Sequence, residues 1–363
     1  MLDDDTKHCF VIAGKKSMKD AGVLDTIKSL ANKKNIAISF SKSVSTNPTD
    51  LEINKIYYDC KDSKADTVIG IGGGSSMDAA KIVAMLVKNG GHSWDYVNTK
   101  NQIAKSIVND RLKLFLIPTT SGTASESTPY AVLTNNQTSM KKGIGHTLLY
   151  ADRAIIDSEI LCLMPPRITA ITGFDAFGQA LEGYTSKNSN FVSEYYGYSG
   201  LKIIAENINQ SYCDNKNHKA KLQMAWGTLF SGLSIGIVDV NLAHAMSHPI
   251  SAYYNIQHGL AVLLCTFQSI RFNQHKLIDK YRKIAQVLGY KNGGPDEIIN
   301  TLKLWIENFK IDIKLKNYGI KKDDFPKFAD DALQIGAINT NVRKINKEEL
   351  IDLYEKIYKG LTI

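Results

Sequence analysis

The sequence predicts a doubly wound α/β domain followed by an all-helical domain, and three observations predict this order. Short apolar runs alternate with helical patterns over the first part of the chain. One of these runs leads into three consecutive glycines, at residues 72–74, and a helical pattern follows at once. Beyond Pro165 and Pro166, helical periodicity dominates to the end. We therefore predict an α/β domain over residues 1–160 and an all-helical domain over 161–363.

The elements of the first domain follow from their apolar content and from the turn residues around them. We predict strands at residues 8–14, 35–40, 65–71 and 112–118. We predict helices at residues 17–33 and from a turn at 47–50 through residue 61. Strands that alternate with helices lie side by side in the same direction, so the sheet is expected to be parallel.

Composition excludes several classes of protein. The chain has 363 residues, of which 44% are hydrophobic and 22% charged, so it is neither disordered nor too small for two cores. No apolar stretch approaches the length that spans a bilayer. The acidic start, residues 1–5, lacks the basic and apolar regions of a secretory signal. The five cysteines are scattered without a CxxC pair, which is typical of reduced thiols in the cytoplasm.

The net charge of +8 comes mostly from dispersed lysines. No arginine-rich block with interleaved aromatic residues is present, which argues against a nucleic-acid partner. The positive surplus is equally compatible with attraction of an anionic cofactor or substrate and with an ordinary solvated surface.

The glycine run has the features of a phosphate loop. It follows the apolar strand at 65–71 and precedes a helix, whose first N–H groups favour an anion. We expect Ser75 or Ser76 to cap this helix and Asp78 to lie in its first turn. The motif is neither GxGxxG nor GxxxxGK[ST], and a simple tight turn is the alternative.

A second loop of small residues, PTTSGTASE, follows the strand at 112–118. Hydroxyl groups and glycine at the carboxyl end of a parallel strand suit a ligand crevice. The alternative is a hydroxyl-rich loop in which Ser125 caps the next helix.

A cluster of histidines marks the second domain. His244 and His248 are four residues apart and share a helical face, and His258 follows. We expect Pro249 to disturb the next turn and Gly259 to end the segment.

An amphipathic helix at residues 173–183 precedes this cluster. It places Asp175, Gln179 and Glu182 on a polar face, opposite an apolar stripe. A carboxylate and imidazoles that converge from two helices suit Fe²⁺ or Zn²⁺, whereas a single histidine would more often be a hydrogen-bonded core residue.

Four segments in order, GGGSSMDAAK, PTTSGTASE, GFDAFGQALEG and HAMSHPISAYYNIQHG, resemble the successive signatures of iron-containing alcohol dehydrogenases, over roughly residues 8–360. The resemblance implies a Rossmann-like dinucleotide-binding domain and a helical metal-binding domain, an architecture shared with dehydroquinate synthase. It also implies hydride transfer between NADH or NADPH and a carbonyl held at a metal in the interdomain cleft.

The resemblance implies roles for particular residues. The metal ligands would be Asp175, Gln179, His244 and His258. His248 would lie near the substrate, where it delivers a proton or holds the nicotinamide region. The cofactor residues would be Gly73, Gly74, Ser75 and Asp78 at the pyrophosphate, Thr119, Thr120 and Thr123 near the nicotinamide, and Lys141.

Three departures from the family pattern carry expectations of their own. Gln179 stands where the family usually has histidine, so the metal would be three-coordinate from protein or weakly bound. Lys15 and Lys16 stand where NAD-preferring members often carry an aspartate, which favours NADPH. The chain begins close to its first strand, without the hairpin that often contributes to dimer contacts, so a homodimer is one candidate and the assembly state stays open.

The substrate is predicted as a small alcohol or aldehyde, including an anionic aldehyde such as a phosphonate or sulfonate. Two alternatives keep the same fold. One is a dehydroquinate-synthase-like lyase that uses NAD transiently, and the other is a metal-free nucleotide-binding protein without redox activity.

Overall fold

The computed structural model describes residues 5–360, which form two compact units. Unit 1 contains the chain up to Thr120 together with Ser125–Leu163. Unit 2 contains Ser121–Ala124 and the chain from Met164 onward. The boundary of 160/161 stays a prediction, and most of the acidic start, residues 1–4, lies outside the described residues.

Unit 1 contains a parallel sheet and a separate hairpin. Its strands are β1 (His8–Ala13), β2 (Ala37–Phe40), β3 (Thr67–Gly72), β4 (Lys113–Pro118), β5 (Tyr130–Thr134), β6 (Lys141–Gly145) and β7 (Arg153–Ala154). Five of them form one sheet in the order β2-β1-β3-β4-β7, with every pair parallel. The predicted α/β fold is confirmed. The antiparallel β5–β6 hairpin was not predicted.

Helices connect the strands of unit 1. They are α1 (Ser17–Asp20), α2 (Val23–Lys33), α3 (Asp50–Ser63), α4 (Gly74–Asn89) and α5 (Ser158–Cys162). The single helix predicted for residues 17–33 is wrong, because the chain breaks at Gly22, which has a φ of 73°. The helix predicted to follow residues 47–50 is present as α3, and Thr49 caps it by accepting the N–H of Glu52.

The sheet of unit 1 is buried on both faces. Phe10 and Ile12 belong to one apolar cluster, and Cys9 and Val11 belong to another. Successive side chains of a strand point to opposite faces, so this alternation places a core on each side of β1. Burial on both faces is the usual condition of a parallel sheet.

Unit 2 is helical, as predicted. Its helices are α6 (Pro166–Thr185), α7 (Phe191–Cys213), α8 (His218–Val238), α9 (Leu242–Tyr254), α10 (His258–Val287), α11 (Pro295–Asn308), α12 (Phe325–Ala332) and α13 (Lys347–Lys359). One apolar cluster includes Phe174 and Phe177 of α6, Trp305 of α11 and Tyr354 of α13. Within residues 5–360 no single helix has the length and apolarity to cross a membrane, although α8 and α9, bent by 105°, meet that test as a pair.

Candidate functional site

Three side chains of unit 2 converge on one point. Asp175 lies in α6, His244 is near the start of α9, and His258 is the first residue of α10. One ligand atom from each residue lies within 4.8 Å of the other two. Asp175 Oδ1 is 3.5 Å from His244 Nε2 and 3.9 Å from His258 Nε2. The structure therefore brings together three of the four residues predicted as metal ligands.

The close approach of α10 to α6 depends on Gly259. A Cβ atom here would lie 2.1 Å from the carbonyl oxygen of Ile171 and 3.1 Å from Cβ of Asp175. Only a residue without a side chain lets the two backbones come this near, and the adjacent His258 is thereby held beside Asp175. The prediction that Gly259 ends a helix is wrong, since α9 ends at Tyr254 and Gly259 lies in the first turn of α10.

The cluster has the donor chemistry of a cation site. Asp175 and His244 are 2% and 3% exposed, and within residues 5–360 neither Asp175 Oδ1 nor His244 Nε2 has a hydrogen-bond partner. A buried polar atom without a partner costs about 1–3 kcal/mol, so a shared cation would relieve both atoms. One carboxylate oxygen and two imidazole nitrogens suit Fe²⁺ or Zn²⁺. The residues present therefore fit such an ion.

Glu182 holds the other side of the His244 ring. Its carboxylate is hydrogen-bonded to His244 Nδ1 and accepts the N–H of Ala243 at 2.6 Å. Burial disfavours the charged ring, but the Glu182 and Asp175 carboxylates together raise the pKa of His244 to about 10. The sequence pattern places Glu182 on the polar face of its helix, yet its role was not predicted. Its spacing of seven residues from Asp175 is the signal that points to it.

Gln179, the fourth predicted ligand, is engaged in other contacts. Its Nε2 donates to the carbonyl of Thr123 at 3.3 Å, and its Oε1 accepts the hydroxyl of Ser231 at 3.2 Å. The amide oxygen is the only ligand atom that glutamine offers to a cation, and one of its two lone pairs already accepts from Ser231. The assignment of Gln179 as a ligand stays a prediction.

His248, predicted to act near the substrate, lies one turn beyond His244 on α9. Its ring centroid is 5.6 Å from that of His258, and it is partly exposed. It is thus adjacent to the cluster, and Asp175, His244 and His258 provide the three converging ligand atoms.

The glycine run lies between β3 and α4, as predicted for a phosphate loop. Gly72 has a φ of 150°, and a Cβ atom there would lie 2.6 Å from Ser76 Oγ. Gly73 is the N-cap of α4 and provides no side-chain cap, so the prediction that Ser75 or Ser76 caps the helix is wrong. Both serines lie within the first turn. The start of this 16-residue helix therefore presents backbone N–H groups and small side chains.

Several other predicted cofactor residues of unit 1 lie beside this loop. The N–H of Thr119 donates to the carbonyl of Gly72 at 2.9 Å, because β3 and β4 are paired. The hydroxyl of Thr120 would be 3.5 Å from a Cβ on Gly73.

Lys141 is linked to the same loop through Asn47. Its Nζ donates to Asn47 Oδ1 at 3.0 Å, and the N–H of Asn47 donates to Ser75 Oγ at 3.3 Å. Thr123, by contrast, belongs to unit 2, where its carbonyl accepts from Gln179.

Asp78 ties α4 to the segment that leads into the hairpin. Its carboxylate accepts the hydroxyl of Ser125 at 2.6 Å and the N–H of Val132 at 3.0 Å. Burial raises its pKa, against the opposing charge of Lys81. The prediction that Asp78 lies in the first turn is wrong, since α4 begins at Gly74. A direct contact of Asp78 with a cofactor stays a prediction.

Sequence comparisons identify relatives over nearly the whole chain. The profile described as "Iron-containing alcohol dehydrogenase" matches residues 1–158, and that described as "Fe-containing alcohol dehydrogenase family, C-terminal" matches residues 169–358. A sulfoacetaldehyde reductase of Bilophila wadsworthia is 31% identical over 305 residues, which cover 82% of this chain and 78% of that protein. An NADPH-dependent butanol dehydrogenase of Clostridium saccharobutylicum is 27% identical, with 98% and 93% covered.

The fold comparison agrees with the sequence comparison. An archaeal halo-thermophilic alcohol dehydrogenase from a Red Sea brine pool superimposes with a TM-score of 0.92 and 29% identity. The match covers 97% of this chain and 92% of that one.

Proposed function

Because the chain belongs to the iron-containing alcohol dehydrogenase family, we propose that it reduces a small aldehyde with NADPH at a divalent cation. The chain is an NAD(P)-linked alcohol dehydrogenase or aldehyde reductase. The cation, the preferred nucleotide and the substrate are our proposal. The observation that carries it is the convergence of Asp175, His244 and His258 in unit 2.

Asp175, His244 and His258 would hold the cation, with Fe²⁺ favoured and Zn²⁺ as the alternative. A cation there would supply Lewis acidity to the carbonyl oxygen of the substrate. Asp175 brings a negative charge into a buried place, where it counters the cation. His248, one turn from His244, is proposed to deliver the proton that the product oxygen requires.

The residues of unit 1 would bind the nucleotide. We assign the pyrophosphate to Gly73, Gly74 and Ser75, since they open the longest helix of that unit with backbone N–H groups. Thr119, Thr120 and Lys141 would bind beside it, and Thr123 would contact the nicotinamide region. Asp78 would keep the loop in shape through Ser125 and Val132.

Charge at the ends of β1 and β2 supports NADPH over NADH. These strands are parallel neighbours, and the residues that follow them are Gly14, Lys15 and Lys16 on one side and the segment 41–44 on the other. Both lysines are exposed, and neither segment contains a carboxylate. A ribose 2′-phosphate would meet positive charge there. The name of the butanol dehydrogenase relative agrees with this choice.

We further propose an anionic aldehyde of the sulfonate or phosphonate type as substrate, because the reductase from Bilophila is 31% identical and the chain carries a net charge of +8. The predicted homodimer and cytoplasmic location stay predictions.

The test is a reductase screen of small aldehydes, with sulfoacetaldehyde and phosphonoacetaldehyde among them, in which each aldehyde is offered with NADH and with NADPH. Metal content is measured on the same preparation. We expect steady loss of the reduced-nicotinamide absorbance, fastest with NADPH. Tight nucleotide binding without net turnover would indicate the lyase, and a preparation that holds nucleotide but no metal would indicate the non-redox alternative.

A further inference from the structure

We propose that Glu182 is a positioning residue that fixes the tautomer of His244 and so directs its Nε2 lone pair toward the cation site. This inference rests on the proposed function, because it needs a cation held by Asp175, His244 and His258.

The two ring nitrogens of His244 face different carboxylates. Nδ1 is hydrogen-bonded to Glu182 Oε2, whereas Nε2 lies 3.5 Å from Asp175 Oδ1. An ionised carboxylate only accepts hydrogen bonds, so the contact with Glu182 requires a proton on Nδ1. When a cation displaces the second ring proton, Nε2 is therefore the nitrogen left to bind it. Nε2 is also the nitrogen that belongs to the converging cluster with Asp175 and His258.

Glu182 is committed away from the cation site by its other contacts. Its Oε1 accepts the N–H of Ala243 at 2.6 Å and that of His244 at 3.4 Å, at the start of α9. Glu182 is fully buried there, at a helix N-terminus, whose N–H groups suit an acceptor oxygen. The backbone carbonyl of Glu182 also accepts from the side-chain amide of Asn241, which is the N-cap of α9.

The two acids of α6 therefore have different functions. Within residues 5–360, Asp175 Oδ1 is buried without a hydrogen-bond partner, so its lone pairs are available to a cation. Both Glu182 oxygens are occupied by α9. A metal-bound histidine commonly donates its second N–H to such a carboxylate, which fixes the ring and raises its basicity.

The test compares Co²⁺ affinity in the wild type, in Glu182→Gln and in Asp239→Asn. Glutamine preserves the volume at position 182 but no longer obliges Nδ1 to carry the proton. Asp239 is a matched control, because it lies close enough to influence the charge of His244 but accepts from the N–H of Val240 instead. Affinity is measured by competition with a chromophoric chelator, and the visible Co²⁺ absorption reports the ligand geometry.

We expect Glu182→Gln to weaken Co²⁺ binding about 10- to 100-fold and to change the absorption band, while Asp239→Asn leaves both unchanged. Wild-type affinity and an unchanged band in Glu182→Gln would overturn the positioning role and leave the cation site standing. An equal loss of Co²⁺ affinity in Asp239→Asn would also overturn it, since removal of a nearby negative charge would then explain the loss without any hydrogen bond to His244. If the wild type binds no Co²⁺, the proposed cation site fails as well.

If Glu182→Gln does not fold, a second measurement determines which nitrogen of His244 carries the proton and which binds the cation. Zinc-loaded wild-type protein with ¹⁵N-labelled histidine is examined by NMR, and the His244 resonances are assigned with a His244→Gln variant. A proton on Nδ1 of His244 with zinc at Nε2 supports the proposal. Zinc at Nδ1 overturns it.

Discussion

The two candidate sites of this molecule attract opposite charges by different means. In unit 1, the backbone N–H groups at the start of α4 can bind an anion, and the small size of two glycines and two serines leaves them accessible. In unit 2, the cluster of Asp175, His244 and His258 offers a cation the lone pairs of side chains. The first site is made by consecutive residues, whereas the second draws on three helices.

This difference affects how each site can fail. A backbone site tolerates many side chains but not a change in the path of the chain. A side-chain site tolerates changes in the surrounding backbone only while each ligand atom still reaches the common point, and it is lost when one ligand is removed. Substitutions can therefore be chosen that damage one site and spare the other.

The largest effect is expected from His258→Ala. Removal of one of three converging ligands should abolish metal retention and lower turnover by about three orders of magnitude or more, since a Lewis acid contributes several kcal/mol to such a reaction. Nucleotide binding should persist, because the glycine loop is in unit 1. Metal analysis, steady-state kinetics and nucleotide titration provide the measurements.

His275→Ala is the matched control, since this exposed histidine lies on the same helix. Loss of nucleotide binding in His258→Ala with the metal retained would contradict the division between the two sites.

Gly72→Ala should damage the other site. The residue has a φ of 150°, and the new methyl group would lie 2.6 Å from Ser76 Oγ, so strain of about 1–3 kcal/mol is expected at the loop. This corresponds to roughly 5- to 150-fold weaker nucleotide binding if the loop moves to relieve it. Metal content should stay at the wild-type level.

Gly143→Ala in β6 is the control, because a Cβ there makes only ordinary contacts. Equal losses in both variants would show that the effect does not come from the loop. Isothermal titration with nucleotide distinguishes these outcomes.

Gln179→His tests how many ligands the cluster holds. If the side chain at position 179 faces the cation, an imidazole should tighten metal binding by about tenfold, since it is the better donor to Fe²⁺ or Zn²⁺. Ser231→Ala is the companion variant, because it removes the hydroxyl that now contacts the amide oxygen. Metal affinity that does not change in Gln179→His would count against a ligand role at this position.

The smallest effect is expected from Lys15→Ala and Lys16→Ala. Backbone dipoles at the start of α4 cannot distinguish NADPH from NADH, so the choice must come from side chains near the ribose. Loss of one exposed charge should lower the NADPH:NADH ratio of kcat/KM by roughly fivefold, or about 1 kcal/mol. Lys33→Ala, at the exposed end of α2, is the control. A ratio that is the same in all three variants would reject the 2′-phosphate assignment.

Features carried by consecutive residues could be predicted from the residues themselves. Among distant contacts, the convergence of Asp175, His244 and His258 was predicted with the help of the family motifs, whereas others were missed. Strands β1 to β4 and the loop between β3 and α4 follow from apolar runs and glycines. The role of Glu182 was not predicted, because its contact with His244 joins residues 62 positions apart. The hairpin strand β6, KKGIG, was missed for another reason. Its two lysines and two glycines do not show the alternation of buried and exposed positions in their hydrophobicity. The N-cap of α4 was predicted at the wrong residue because glycine can serve as the N-cap without any side chain.

The segment Ser121–Ala124 has a consequence for the modularity of the protein. It interrupts unit 1 in sequence but packs with unit 2, where a Cβ on Gly122 would lie 2.5 Å from Cβ of Thr172. A gene cut near residue 160 would thus deprive the helical half of a piece that it packs against. In a chimaera that joins halves of two relatives, the first parent would have to supply a residue as small as Gly122 to pack against the helical half of the second. Recombination within this fold is constrained at a segment nearly forty residues before the boundary that a simple cut would use.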